Sequence, residues 1–190
     1  HDIAVRNGLV YLTGTLGFGD FEILGHDLTV GFYDPYVLIL DTNGNLSNLF
    51  TFPINLYASN GKAIKVTDDG NIVLAGDYSG YEPMFGAFTL PESNDAEMFV
   101  AFLNPSGEVL SVETAGGYLI DGVSDIAILD ENHIAAVGFF HCDITIGDNT
   151  METIECQGGN SYDAFISVLE IDFPSTTTNL LAPEIISNIF

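Results

Sequence analysis

Ile72-Val73-Leu74-Ala75-Gly76 is a short apolar run that stops at a glycine, and it has two counterparts. They are Leu9-Val10-Tyr11-Leu12-Thr13-Gly14 and Ile134-Ala135-Ala136-Val137-Gly138. The terminal glycines stand 62 residues apart in both intervals. A fixed period of this size is the mark of a repeat architecture, in which each copy is one supersecondary unit. Upstream of each run lies a second shared segment: Asp2-Ile3-Ala4-Val5, Ala63-Ile64-Lys65-Val66 and Asp125-Ile126-Ala127-Ile128. Downstream, an acid, one residue and an aromatic open a further apolar stretch: Asp34-Pro35-Tyr36-Val37, Glu97-Met98-Phe99-Val100 and Asp163-Ala164-Phe165-Ile166.

The turns between these stretches are equally regular. Asp41-Thr42-Asn43-Gly44-Asn45 and Asn104-Pro105-Ser106-Gly107-Glu108 follow the first two aromatic strands. Gly and Asn tolerate positive φ, and Pro presets φ, so such clusters reverse the chain. Each copy therefore reads as four short strands rich in Val, Ile, Leu, Phe and Tyr. Alternation is imperfect in Asn71-Ile72-Val73-Leu74-Ala75, which points to inner strands buried on both faces. Helical periodicity is confined to a weak signal near Pro183 and Asn188. The third copy has a polar break at residues 175–179 where a fourth strand would stand.

The expected fold is thus all-β: tandem four-stranded antiparallel blades, β-propeller-like, forming an open arc or part of a larger ring. The expected repeats span residues 1–61, 62–124 and 125–175, with a tail or cap at 176–190. A four-stranded unit cannot shield its own apolar face, so neighbours must do so by stacking. Three units are too few for a closed ring, which takes about four to eight. Open ends expose sheet edges and apolar faces, and these invite partners.

Glu97-Met98-Phe99-Val100-Ala101-Phe102-Leu103-Asn104-Pro105-Ser106-Gly107-Glu108-Val109-Leu110 resembles the core of the SBBP, or bacterial β-propeller, repeat. There an acidic-small-Phe-Val strand precedes a Pro/Ser-Gly hairpin. Asp69-Gly70-Asn71-Ile72-Val73-Leu74-Ala75-Gly76 resembles the second signature of that family, a Gly-Asn turn leading into a strand that ends in Gly. The resemblance covers residues 2–171 and implies propeller blades. One departure stands out: the family's usual Lys in the aromatic strand is replaced by Ile39, Phe102 and Val168.

Composition narrows the function. The 190 residues are 47% hydrophobic and only 16% charged, with 27 acids against Arg6, Lys62 and Lys65, for a net charge of −24. Phosphate recognition needs Lys and Arg, so nucleic acid and anionic membranes are excluded as expected partners. No stretch approaches the roughly 20 apolar residues of a transmembrane helix. Such a surface repels itself in dilute buffer and is calmed by salt or divalent cations, which favours a saline or calcium-containing exterior. The chain starts at His1 rather than Met, which reads as a processed protein or a piece of a longer one.

Three groups of residues are candidates for chemistry. Cys142 and Cys156 flank a segment that folds as a hairpin about Asn149, which would set Cys142 opposite Cys156 and Ile144 opposite Ile154. A disulfide is expected there in an oxidising compartment. A zinc site from His133, His141 and the cysteines lacks Cys-x-x-Cys spacing. Calcium is the one cofactor suggested. Asp41, Asn43 and Asn45 alternate like the first half of an EF-hand loop but lack its distal Glu. Asp68 and Asp69 open a second oxygen-rich turn, while Asp20, Asp27, Asp148 and Asn149 are weaker candidates. The plain alternative is hairpin turns whose Asx side chains bond their own backbone.

Phe18, Phe21, Phe32, Tyr33, Tyr78 and Tyr81 cluster in the connections between second and third strands. They could bind a sugar, or simply cover hydrophobic surface. Paired carboxylates such as Glu92 with Asp95, or Asp121 with Asp125, fit glycoside hydrolysis, but neighbours of this kind arise by chance among 27 acids. No nucleophile elbow, metalloprotease motif or phosphate loop is present, so no catalytic residue is expected. The expected function is a non-enzymatic structural or adhesive module, secreted or at the cell surface. Its partners would be other protein subunits or copies of itself. The alternative is a carbohydrate- or protein-ligand-binding propeller fragment. A third reading is a hydrolase subunit completed by another chain.

Overall fold

Each glycine-terminated run becomes the second strand of an antiparallel meander. The computed structural model describes residues 1–53, 59–130, 132–153 and 162–170. Unit 1 holds β1 (Asp2–Arg6), β2 (Leu9–Leu16), the hairpin β3 (Gly19–Ile23) and β4 (His26–Val30), then β5 (Asp34–Asp41) and β6 (Leu46–Thr51). Unit 2 holds β7 (Ser59–Val66), β8 (Ile72–Gly80), β9 (Met84–Phe85), β10 (Phe88–Thr89), β11 (Ser93–Leu103) and β12 (Val109–Tyr118). Unit 3 holds β13 (Gly122–Ile128), β14 (His133–His141), β15 (Asp143–Ile146), β16 (Asn149–Glu152) and β17 (Tyr162–Glu170). The protein is all-β, and no helix occurs among the described residues.

The strand orders are β1-β2-β5-β6, then β7-β8-β11-β12, then β13-β14-β17. The same meander recurs, each time with a two-stranded hairpin inserted between its second and third strands. That insertion is where the long aromatic connections of the sequence go. Units 2 and 3 begin three residues earlier than the repeat boundaries at 62 and 125 suggest, at Ser59 and Gly122. The expected tail and its helix signal, and the missing fourth strand of unit 3, lie outside the described residues.

Register explains the 62-residue period. Gly14 faces Tyr36, Gly76 faces Phe99 and Gly138 faces Phe165 across the second and third strands. The rings lie over the glycines, so a Cβ at Gly76 or Gly138 would press into the ring of Phe99 or Phe165. It would also overlap the carbonyl oxygen of Asn60 or Gly122 on the first strand. One residue earlier, Thr13, Ala75 and Val137 face Asp2, Ala63 and Asp125. The first-strand segments are therefore structurally equivalent. In units 2 and 3 a bulge at Lys62 and Ser124 keeps them in phase, as one extra residue on one strand does.

Strand parity then builds a stack of sheets with unit 2 in the middle. Ile64, Ile72, Leu74, Phe99, Ala101 and Leu103 join Tyr11, Val37, Ile39 and Phe52 of unit 1 in one core. The intervening residues Ala63, Val73, Ala75, Met98, Val100 and Phe102 join Val123, Ile126, Ile134, Ala136, Phe165 and Leu169 of unit 3 in the other. Successive side chains point to opposite faces, so a strand buried on both sides reads as a continuous apolar run. The first core is tied by a stack of rings. Phe52 and Phe85 lie 4.9 Å apart and nearly parallel, and Phe85 meets Phe99 at 4.9 Å.

Two polar devices join the units. The unit 3 hairpin β15–β16 pairs with β12, so the middle sheet has six strands. Lys65, on the middle first strand, reaches Asp2 at 2.8 Å and Asp125 at 3.1 Å, bridging all three units. Asp2 also accepts the Ile64 backbone N–H at 2.9 Å. Burial alone would raise the Asp2 carboxyl, but the bonds from Ile64 and Lys65 outweigh it and hold the pKa below the ordinary value. Lys65→Met is expected to destabilise the protein by about 1 kcal/mol, with the loss shrinking at high salt because the pairs are partly exposed. Urea titrations at low and high salt check this.

Candidate functional site

The oxygen-rich turns are built by ordinary hairpin chemistry. Asp41 Oδ1 accepts the backbone N–H groups of Asn43 at 2.8 Å and Asn45 at 2.9 Å, and its Oδ2 accepts Asn45 Nδ2 at 2.8 Å. The Asn45 bonds hold the Asp41 carboxyl below its ordinary pKa. Asn104 closes the β11–β12 turn in the same way, bonding Ser106 and Glu108 backbone N–H groups at 3.0 Å. A neutral amide thus performs the task of Asp41. Asp68 is ion-paired with Arg6 and its carbonyl accepts Asn7 Nδ2 at 3.0 Å, while Asp69 is exposed in the same turn. The candidate ligands occupy two separate turns, and no group of three or more metal-ligating acids, His or Cys forms among the described residues.

The aromatic candidates divide. Phe18 is 78% exposed and Phe21 is half-buried on β3, while Tyr33 and Tyr81 are exposed. Tyr78 is a correction: at 1% exposure it belongs to the core between units 1 and 2, because β8 sits inside a sheet covered on both faces. Burial, with the nearby Glu97 charge, pushes its hydroxyl up to about 12.

The hairpin around the cysteines is also corrected. Ile146 faces Asn149 and Ile144 faces Met151, so the chain reverses at Gly147-Asp148 and not about Asn149. Gly147 has φ 58, which suits the first position of a two-residue hairpin turn that only Gly adopts readily. Beyond the ladder, the carbonyl of Cys142 accepts the backbone N–H of Thr153 at 2.6 Å. Cys142 is buried, and Ile154 and Cys156 lie outside the described residues. His133 bonds Asp130 at 2.8 Å, and His141 packs on Tyr162 at 4.9 Å between ring centres.

The most perturbed chemistry is a pair of buried acids that sequence spacing did not bring together. Glu97 enters from β11 and Asp121 from the link between β12 and β13. The Asp121 backbone N–H donates to the Ala96 carbonyl at 2.7 Å, which draws that link against β11. Glu97 Oε1 accepts Ser93 Oγ at 2.9 Å, and Oε2 accepts the Gly117 N–H at 3.2 Å. A side chain at Gly116 would overlap the Glu97 carboxyl, so the Gly116-Gly117 pair is the room in which it sits. Asp121 Oδ1 accepts the His141 N–H at 3.1 Å. Its Oδ2 is fully buried and meets no donor while Glu97 is ionised. The two carboxyls hydrogen-bond when Glu97 holds a proton, and a buried acceptor left alone is costly.

Burial is the main cause pushing Glu97 up to about 7, with the Asp121 charge adding to it. Burial likewise pushes Asp121 up to about 6, with the Asp143 charge adding. The pair shares one proton near neutrality and loses it as pH rises. Glu97 borders a cleft of about 380 Å³ lined also by Tyr78, Glu92, Thr114, Gly117 and Thr145 among others, while Asp121 lies buried behind it. The cleft's polar side chains are the carboxyls of Glu92 and Glu97 and the hydroxyls of Tyr78, Thr114 and Thr145. The sequence pairings separate here: Asp125 binds Lys65 on the far side, and Asp95 donates its N–H to Ser93 Oγ at 3.3 Å. The visible clue was the Gly-Gly step beside an acid that recurs before each aromatic. The chain matches no family model and no curated protein.

Proposed function

We propose that the chain is a non-enzymatic, extracellular structural or adhesive module, built of propeller-type blades of the SBBP kind, that assembles through its open ends. One observation carries this reading. The face of unit 1 turned away from unit 2 is aliphatic across all four strands. Ile3, Leu12, Leu38 and Leu49 form one cross-strand row, and Val5, Val10, Leu40 and Leu46 form the next. Ile3 and Val5 are 57% and 68% exposed. A contiguous apolar face of this kind marks an interaction surface. Arg6, Lys62 and Lys65 are all consumed in ion pairs within the chain, so the outer charge is acidic and calls for cations to let subunits approach. The resemblance to SBBP repeats and the threefold meander support the blade reading.

Sedimentation with and without calcium tests it. The expected result is a species larger than one chain, favoured by salt or calcium; a monomer under every condition defeats it. Non-reducing peptide mapping should recover Cys142 linked to Cys156, as suits an oxidising exterior; two alkylatable thiols would remove that part. The second reading is ligand binding, for which the exposed rings of Phe18, Tyr33 and Tyr81 speak. A glycan array with the single Ala variants of these three tests it.

A further inference from the structure

We infer that the partner is a second copy of this chain, docked head to tail, with the outer face of unit 3 in one copy seated on the outer face of unit 1 in the other. This rests on the open-end reading above and names its partner and geometry. The junction already occurs twice within the molecule. Tyr36, Phe99 and Phe165 hold equivalent positions over the three glycines. Phe99 is buried against unit 1 and Phe165 against unit 2. Tyr36 lies on the opposite face of its strand from Val37 and Ile39, which pack on unit 2. The equivalence extends along the face. Ile3, Leu12 and Leu40 of unit 1 match Ile64, Leu74 and Leu103 of unit 2, which are fully buried by unit 1.

Unit 3 carries the complementary half. Its outer face presents Ala135 paired with Val168 and Val137 paired with Ile166. Their counterparts in unit 2 are Val73, Phe102, Ala75 and Val100, all buried against unit 3. Ile166 is 55% exposed. Units 1 and 3 thus each bear one half of an interface whose two halves meet internally between consecutive units.

In unit 3, β15–β16 adds to the outer strand β12 of the preceding unit, whereas β3–β4 of unit 1 and β9–β10 of unit 2 each pair only with themselves, so the junction rests on the facing sheets. Such an interface is heterologous, so it closes into a ring or runs on as a filament. Two copies supply six units, within the range of about four to eight that closed radial arrays use. The assembly is therefore a dimer with two identical junctions.

The test uses the full 190-residue chain and two variants, Ile3→Asp and Ile166→Asp, at residues that are exposed in the single chain and so leave its fold intact; melting curves verify this. Val5→Ser and Val137→Ser serve as milder replacements if either fails to fold. The expected result is a dimer for the wild type, loss of the dimer for each variant alone, and its return when the two are mixed, because the mixture keeps one good junction. If Ile166→Asp alone still dimerises and mixing restores nothing to Ile3→Asp, the contact is face to like face; head-to-tail docking is then overturned while assembly stands. A monomeric wild type overturns both. Filaments in place of dimers overturn ring closure.

Discussion

Gly76→Ala is expected to cost about 3 kcal/mol or more and to leave little folded protein at 37 °C. The added methyl overlaps the Asn60 carbonyl oxygen and drives into the Phe99 ring, and both are fixed within the middle sheet. Overpacking a closed core costs about 1–3 kcal/mol, and displacing a strand to relieve a backbone clash adds to that. Gly138→Ala meets the Gly122 carbonyl oxygen and the Phe165 ring and should behave alike. Gly14→Ala is the informative contrast. There the methyl meets only the Tyr36 ring, at 3.0 Å, and that ring faces the open side of unit 1. Its cost should stay at about 1 kcal/mol, since the ring can yield. Urea unfolding of the three variants measures the order. Equal losses at all three sites would mean that the contacts made across the sheet, and not the openness of the face, set the cost at Gly14 as well.

The second large effect is on pH dependence. Glu97 and Asp121 are raised in the folded state, to about 7 and about 6. The folded protein therefore binds protons that the unfolded chain has already released. Their contribution is complete below the ordinary carboxyl range near pH 4 and is lost as pH rises through about 6 to 7. The Glu97 displacement sets an upper limit of about 3 kcal/mol, and access of water from the cleft reduces it to about 1–2 kcal/mol. Glu97→Gln keeps an N–H to donate to Asp121 and cannot ionise. It should unfold at a higher temperature than wild type at pH 8 and show a flatter profile between pH 5 and 8. Glu113, raised by burial, adds a trend of the same sign that both proteins share, and Asp2, held low, acts only in stronger acid. A variant profile parallel to wild type would show that the pair does not hold a proton in this range.

The repeat was legible in the sequence because its signals are local. A glycine is required wherever an aromatic ring and a neighbouring carbonyl crowd the same pleat, so the 62-residue period survives in Gly14, Gly76 and Gly138 whatever surrounds them. The turns at Asp41 and Asn104 are equally local, since each is closed by its own side chain. The doubly buried run from Ile72 to Ala75 declared its two-sided burial by its lack of alternation. Register in the third hairpin was misread because Gly147 was not given its part in the turn. Tyr78 could not be placed by sequence, because an aromatic in a long connection looks the same whether the next unit covers it or not.

From the chain alone came the all-β class, the strands of the meander and the places where they reverse, because hydrogen-bonding geometry and φ preferences act over a few residues; the hairpins β3–β4 and β9–β10 inside the long connections did not. Tertiary contact decided which groups became chemically unusual. Glu97 and Asp121 stand 24 residues apart and carry no mutual spacing signal; they meet because the link between units folds back on β11, and only then does loss of water raise both pKa values. Stacking likewise decided which aliphatic faces are covered and which stay open. Burial is a property of what lies on the other side of a sheet, and the residues of that sheet do not encode it by themselves.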